Sequence, residues 1–106
     1  MAQFDVHRNT GRHKAAIPYV VIVQSSFYEK AKRRVVVPLV ARNELTLLPA
    51  TAINPVFRIE DQDVVLNPLE IVSVPLDALG EKVATLHEES DVLLAALDEL
   101  FTRAWR

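Results

Sequence analysis

The side chains that could carry out chemistry in this chain are few and scattered. The sequence has three histidines, His7, His13 and His87, and no cysteine. No histidine stands in an HxH or HExxH spacing, so we expect three surface histidines and no metal site. A chain without cysteine also has no thiol nucleophile and no disulfide framework, which suits a reducing compartment.

Motifs for nucleophilic and acid–base catalysis are missing too. Gly11 and Gly80 stand alone, so there is no glycine-rich phosphate loop, and no G-x-S-x-G elbow presents a serine. Glu88, Glu89 and Asp91 lie close together, and we interpret them as a solvated helix face, because a paired-carboxylate site would need a third group. The sequence therefore indicates no catalytic residue and no cofactor, and an enzyme stays possible without a motif that points to one.

A basic cluster beside two aromatic residues is the next feature to interpret. The basic residues are Lys30, Lys32, Arg33 and Arg34, and the aromatic residues beside them are Phe27 and Tyr28. Aromatic stacking and cations together suit single-stranded RNA, whereas the cations by themselves suit solubility and the protection of an edge strand. An acidic protein partner is a third option. The net charge of −2 argues against a basic nucleic-acid surface over the whole chain.

The last sixteen residues, 91–106, have the apolar spacing of an amphipathic helix that runs to the chain end. The apolar stripe consists of Leu93, Ala96, Leu97, Leu100, Phe101 and Ala104. Trp105 follows the stripe, one residue from the carboxyl end. This tryptophan either packs on its own domain or on a second subunit, or it contacts a partner, because tryptophan is enriched at binding hot spots.

The elements that must position these residues are strands followed by one helix. Apolar and β-branched runs predict strands over residues 3–7, 19–23, 34–39, 56–59, 63–66 and 70–74, with the long helix starting at Glu81. Pro38 cannot donate a ladder hydrogen bond, which predicts a strand end or a bulge. Residues 8–14, 24–33 and 41–54 are interpreted as connections, 60–62 as a hairpin turn, and Asp77 as the cap of a turn that ends at Gly80.

Length and composition fit one folded domain over residues 1–106. Half of the residues are hydrophobic and a quarter are charged, which is ordinary for a soluble globular protein. Strands followed by a terminal helix indicate an α+β fold with an antiparallel sheet. No apolar run approaches the length of a membrane span, and the N-terminus lacks a signal-peptide core, so we expect a cytoplasmic protein.

Several segments, taken in order, resemble the CcdB family of plasmid and chromosomal toxins. They are Val21-Ile-Val-Gln-Ser25, Arg33-Arg-Val-Val-Val-Pro-Leu39, Ser73-Val-Pro75 and Leu79-Gly-Glu-Lys-Val-Ala84, with Gln3-Phe4 and the stretch 91–101 at the two ends. The resemblance implies an SH3-like small barrel, shared with the MazF and Kid toxins, with an antiparallel sheet and a long C-terminal helix. It also implies a homodimer.

The function implied by this resemblance is that of a poison and not of an enzyme. A CcdB-like toxin binds the A subunit of DNA gyrase and traps the enzyme on cleaved DNA. It is thus a topoisomerase poison, and such toxins serve plasmid maintenance. A CcdA-like antitoxin neutralises the toxin with a segment that folds on binding. Operator DNA is bound only through the toxin–antitoxin complex.

The family's contacts with gyrase lie on the loop after Val-Gln-Ser and at the extreme C-terminus. In this chain the corresponding positions are Phe27, Tyr28, Asp98, Phe101, Thr102, Arg103, Ala104 and Trp105. For the antitoxin we predict contacts in the basic loop. These are Arg8, Arg12 and Lys14.

The end of the chain departs from the family pattern. Well-known members end in Trp-Gly-Ile directly after the phenylalanine, whereas this chain places Thr102, Arg103 and Ala104 there and adds Trp105. A shift of three residues along a helix is a rotation of about 300° and a rise of about 4.5 Å, so Trp105 can take over the stacking role. Two other functions remain open: a MazF- or Kid-like ribonuclease that holds RNA with residues 30–34, and a non-toxic homologue that binds only antitoxin.

The position of Trp105 gives a first prediction. We expect Trp105→Ala to weaken partner binding with little loss of fold stability, because a contact residue beyond the packed stripe contributes little to the core. Binding assays and thermal melts of the same variant test this. An equal fall in binding and in melting temperature would instead make Trp105 a core residue.

Overall fold

The computed structural model describes residues 2–42 and 52–102, which form a curled antiparallel sheet of seven strands followed by one helix. The strands are β1 Asp5–Asn9, β2 Tyr19–Ile22, β3 Arg33–Ala41, β4 Val56–Ile59, β5 Gln62–Leu66, β6 Val72–Pro75 and β7 Leu79–Thr85, and the helix α1 is Ser90–Phe101. The strand order is β4-β5-β3-β2-β1-β7, and β6 also pairs with β3. This confirms the predicted α+β class, a small antiparallel barrel with a C-terminal helix.

β3 is the strand to which the others attach. It pairs with β2 along one edge, and with β6 and then β5 along the other. Val37 and Leu39 belong to the main core, while Val36 packs with Ile22 in a smaller core on the opposite face of the sheet. β-Branched residues suit a strand that is buried on both faces, which explains why the valine-rich run was recognisable in the sequence.

Pro38 lies inside β3 and not at its end, which corrects the prediction. It pairs with Val20 in a regular register, and its carbonyl oxygen accepts a hydrogen bond of 3.0 Å from the amide of Asn67. The amide and carbonyl of one strand residue point to the same edge, so the nitrogen of Pro38 faces away from β2. On that edge β6 pairs with β3 up to Val36 and β5 begins at Leu39, so no ladder bond is lost.

The main core lies between the sheet and α1. Its buried members are Phe4, Val6, Tyr19, Val21, Val37, Leu39, Phe57, Ile59, Val64, Leu66, Leu86, Leu93 and Ala96. Leu93 and Ala96, one turn apart on α1, are fully buried, and Leu97 packs against them in part. The helical spacing seen in the sequence therefore identified the buried face of α1.

The predicted start of the long helix at Glu81 is wrong. Residues Leu79–Thr85 form β7, which pairs with β1, and α1 begins only at Ser90 after a short 3₁₀ turn. Gly80, interpreted above as the end of a turn, lies within β7. A Cβ atom there would sit 2.8 Å from the carbonyl oxygen of Arg8, so the close approach of β7 to β1 requires glycine.

Several further boundaries differ from the predictions. β1 begins at Asp5, after a turn that contains Phe4, and β6 begins at Val72, because Pro68–Glu70 form a 3₁₀ turn. The hairpin of β4 and β5 is confirmed, but Ile59 pairs with Gln62, which leaves a turn of only two residues. In the predicted connection 41–54, β3 extends to Ala41, and residues 43–51 lie outside the described residues.

The glycine within β7 gives a stability prediction. We expect Gly80→Ala to lower the free energy of unfolding by about 1–3 kcal/mol, because backbone must move to admit the methyl group. Urea titration at neutral pH measures the change. Gly11→Ala is the matched control, since its Cβ meets only a side-chain oxygen of Asn9 at 3.2 Å. The control should change stability by less than about 0.5 kcal/mol, and an equal loss in both variants would contradict the explanation.

Candidate protein-binding site

Two exposed aromatic rings stand on the loop between β2 and β3. Phe27 is 85% exposed and Tyr28 62% exposed, and the two rings meet edge to face at 5.1 Å between centroids. They lie on a 3₁₀ turn, Ser26–Tyr28, and Ser25 caps the start of this turn, because its hydroxyl accepts from the amide of Phe27 at 3.2 Å. Large apolar groups held in water in this way are typical of a contact surface.

Gln24 connects this turn to the sheet. Its side-chain amide donates to the carbonyl oxygen of Tyr28 at 3.1 Å, and its side-chain oxygen accepts from the amide of Val35 at 3.0 Å. Gln24 follows β2 by two residues, and Val35 lies in β3. One side chain therefore fixes the turn to β3, a role that nothing in the sequence spacing indicated.

The N-terminal turn supports the loop from a second side. The amide of Gln3 donates to the hydroxyl of Ser26 at 3.2 Å, and its side chain donates to the carbonyl oxygen of Val23 at 3.0 Å. Phe4 next to it takes a left-handed φ of 71°, and its ring stacks on His87 at 6.3 Å between centroids. Such a φ is strained for a bulky residue, so the surrounding contacts hold this turn in place.

The basic cluster of residues 30–34 is divided by the fold. Arg34 is buried, and its guanidinium donates to three backbone carbonyls of the same loop. Arg33 is exposed and donates to the hydroxyl and the carbonyl of Ser73 on β6, at 3.0 and 2.7 Å. Lys30 and Lys32 are exposed and have no hydrogen bond or ion pair within the described residues. The hypothesis of four cations that hold a nucleic-acid backbone is therefore wrong for Arg34.

The C-terminal end of α1 carries the other predicted contacts. Phe101, placed in the packed stripe by its spacing, is 62% exposed, and Asp98 is exposed as well. Thr102 closes the helix, because its amide and its hydroxyl both donate to the carbonyl of Asp98, at 2.8 and 2.5 Å. Both side chains, the carboxylate of Asp98 and the ring of Phe101, face water. Arg103, Ala104 and Trp105 lie outside the described residues.

Arg8, predicted to contact the antitoxin, is engaged within the protein. Its guanidinium forms ion pairs of 2.8 Å with Glu60 in the β4–β5 turn and with Glu81 on β7. The hydroxyl of Tyr19 donates to the same carboxylate of Glu60 at 2.7 Å. Arg12 and Lys14, the other two predicted contacts, are exposed in the turn between β1 and β2.

The network around Arg8 shifts three pKa values. The pKa of Glu60 is lowered, chiefly by the hydrogen bond from Tyr19 and further by Arg8, and partial desolvation opposes this shift. Burial, followed by the bond to Glu60, raises the pKa of Tyr19. The carboxylates of Glu81 and Glu60 raise the pKa of Arg8, in that order. The sequence placed Glu60 in a turn but gave no sign of this role.

The histidines do not meet, and one of them is not at the surface. His7 is 4% exposed, which corrects the prediction of three surface histidines, because β1 is covered on both faces. Its Nδ1 donates to the carbonyl of Gly80 at 2.9 Å. His13 and His87 are exposed as predicted. Within residues 2–42 and 52–102, no group of three His, Asp or Glu side chains could hold a metal ion.

The lowered pKa of Glu60 predicts how stability depends on pH. A carboxyl group whose pKa is depressed on folding stabilises the protein above its ordinary value of 4.5, and the contribution is lost as the pH falls through the folded pKa. We expect Glu60→Gln to be less stable than the wild type at neutral pH, with a difference that shrinks in acid below 4.5.

Urea midpoints measured from neutral pH to about pH 3 test this dependence. Glu70→Gln is the matched control, because Glu70 is exposed on the turn before β6 and takes part in no ion pair among the described residues. The control should follow the wild type at every pH. A gap between Glu60→Gln and the wild type that stays constant in acid would contradict the prediction.

Comparison with protein families gives a match over nearly the whole chain. Residues 3–102 match the family model described as CcdB protein. The match includes the N-terminal turn, the aromatic loop, all seven strands and α1. It confirms the resemblance found in the sequence. Among the described residues, no helix is long and apolar enough to cross a membrane.

Proposed function

The chain belongs to the CcdB family, which implies the toxin of a toxin–antitoxin system, and we propose that its target is the A subunit of DNA gyrase. In this proposal the protein binds gyrase while the DNA is cleaved and prevents religation. The observation that carries it is the exposed pair Phe27 and Tyr28, held on a short turn directly after the family's Val-Gln-Ser segment.

The aromatic pair supports a protein target because it is both exposed and held in place. Aromatic side chains supply large contact areas with few rotatable bonds, and they are enriched at the centres of protein interfaces. The turn is fixed by Gln24 to β3 and by Ser26 to the N-terminal turn. A partner therefore meets a surface that needs little ordering on binding.

The end of α1 is proposed as the second part of the same surface. Asp98 and Phe101 face water there, and Thr102 ends the helix. The residues that follow, Arg103, Ala104 and Trp105, are proposed to extend the contact. An exposed phenylalanine at the last position of α1 fits a contact role better than the core role that its spacing predicted.

We propose that the protein acts as a wedge and not as an enzyme. Trapping gyrase on cleaved DNA requires binding energy and fit, with no proton transfer or nucleophile on the toxin. The main alternative, an RNA-cleaving toxin, loses support because Arg34 is buried and Arg33 is bonded to Ser73. The loop then offers Lys30 and Lys32 as the cations that remain for a phosphate backbone.

The proposed partners follow from the family and from charge. A CcdA-like antitoxin would neutralise the toxin, with Arg12 and Lys14 exposed to receive an acidic segment. Arg8 would join that contact by exchanging Glu60 or Glu81 for a carboxylate of the partner. We further propose a homodimer in the cytoplasm, matching the two-fold symmetry of the dimeric gyrase A subunit, and operator binding only through the antitoxin complex.

The proposal is tested by gyrase-dependent cleavage of supercoiled DNA with ATP, stopped with denaturant to expose trapped breaks. The wild type should accumulate linear DNA. Phe27→Ala and Tyr28→Ala should each bind the gyrase A subunit about thirtyfold more weakly, as loss of a hot spot of about 2 kcal/mol implies. Their urea midpoints should stay near that of the wild type, because both side chains are exposed.

Val92→Ala is the matched control, an exposed apolar residue near the start of α1. It should bind gyrase and trap breaks like the wild type. If the wild type neither traps breaks nor binds the A subunit, gyrase poisoning is refuted. Growth arrest on expression would then separate a ribonuclease from a non-toxic homologue that only binds antitoxin.

A further inference from the structure

We propose that Arg34 is the positioning residue of the aromatic contact: its buried guanidinium holds the backbone that presents Phe27 and Tyr28. The inference deepens the proposed function, since its effect on a partner rests on that loop being the contact. Arg34 itself is 5% exposed and does not reach the surface. It would act through the loop and not by touching the partner.

The guanidinium of Arg34 lies inside a bend of the chain and donates hydrogen bonds from both of its terminal nitrogens. Nη1 donates to the carbonyl oxygen of Ala31 at 2.7 Å and to that of Arg33 at 2.9 Å. Nη2 donates to the carbonyl oxygen of Glu29 at 2.5 Å. The three carbonyls span the part of the loop between the aromatic turn and the start of β3. A planar guanidinium is suited to such divergent bonds, which a single ammonium cannot reproduce.

The charge on Arg34 has no acidic partner in the part of the chain that the structure describes. No carboxylate lies within 4.0 Å of its guanidinium there, although the side chain is buried. The backbone carbonyls of the loop therefore compensate the charge by hydrogen bonds, which are stronger when the donor is ionised. Without the cation, carbonyl dipoles that now converge on one point would repel each other, and the loop would open.

The link from Arg34 to the aromatic rings is short. Glu29, whose carbonyl accepts from Arg34, directly follows Tyr28. The amide of Ala31 donates to the carbonyl of Tyr28 at 3.0 Å, and the carbonyl of Ala31 accepts from Arg34. Gln24 holds the same Tyr28 carbonyl from the side of β2. Releasing Arg34 would remove the support of this turn on the side of β3, while the bonds of Gln24 and Gln3 remain.

Arg34 is anchored firmly enough to serve as a support. It lies in β3, paired with Val74 of β6, on the same face as Val36 in the smaller core. The neighbouring Arg33 is exposed, and among the described residues its guanidinium donates to Ser73 of β6 and to no carbonyl of the loop. The two adjacent arginines thus have separate roles, which provides a matched control: Arg33→Met removes a guanidinium without touching the loop carbonyls.

The first experiment measures loop opening by limited chymotrypsin digestion, which cleaves after Phe27 and Tyr28. We expect Arg34→Met to be cut in the loop at least about tenfold faster than the wild type, because losing even one of the three charge-assisted hydrogen bonds shifts a local opening equilibrium by about that factor. The cleavage rate of Arg33→Met should stay within about twofold of that of the wild type, a difference too small to indicate that the loop has lost a hydrogen bond. Amide exchange of residues 27–35 should rise in Arg34→Met, while that of β1 and β5 stays unchanged.

Arg34→Lys is the second variant and serves if Arg34→Met fails to fold. It keeps the charge but not the fork, so its cleavage rate should lie between those of the wild type and Arg34→Met. Equal cleavage of Arg34→Lys and wild type, or of folded Arg34→Met and Arg33→Met, would overturn the inference. Urea midpoints of the variants separate this local opening from global unfolding.

The second experiment measures binding to the gyrase A subunit. Arg34→Met should lose affinity about as strongly as Phe27→Ala, and Arg33→Met should not. A wild type that fails to bind would refute the proposed target, while the digestion result would still decide the role of Arg34. Faster digestion of Arg34→Met together with unchanged binding would refute its role in positioning the contact.

Discussion

The burial of β3 on both faces is the constraint on which the rest of the structure depends. One strand supplies residues to two cores and pairs with three other strands, so its apolar run fixes the sheet order and the side on which α1 packs. The aromatic loop enters β3 at Arg33, and the guanidinium of Arg34 reaches back into that loop. The candidate binding site is thus built directly on the most buried element of the fold.

The elements that the sequence predicted well are those with a single strong pattern. The β-branched runs of β2 and β3 and the helical spacing of Leu93 and Ala96 depend on local periodicity, and the structure agrees with them. β7 was missed because Gly80 and Glu81 resemble a helix boundary. Glycine is needed there for the close approach to β1, a contact between residues far apart in sequence. Pairing of that kind leaves little local signal.

The sequence predicted which positions belong to the candidate site, but not the hydrogen bonds that hold them in place. The resemblance to the family pointed to Phe27 and Tyr28, and the structure places both in water. Four neighbouring cations looked alike in the sequence, yet one is buried, one is bonded to β6 and two are exposed. Burial of a cation depends on which carbonyls surround it after folding, and the amino-acid sequence of the cluster does not indicate this. The pairing of Glu60 with Arg8 is hidden for the same reason.

Pro38 has a consequence for how the sheet avoids wrong alignments. Its nitrogen lacks a hydrogen and faces the gap on β3 between the partner strands β6 and β5. If β3 slipped by one residue, the nitrogen of Pro38 would face β2. If it slipped by two residues, the nitrogen would face β5 or β6. In either case the sheet would lose one backbone hydrogen bond, because proline has no amide hydrogen to donate. The valines around it would tolerate several alignments. Pro38 therefore favours the native register of β3 over the shifted registers that its repeated valines would allow.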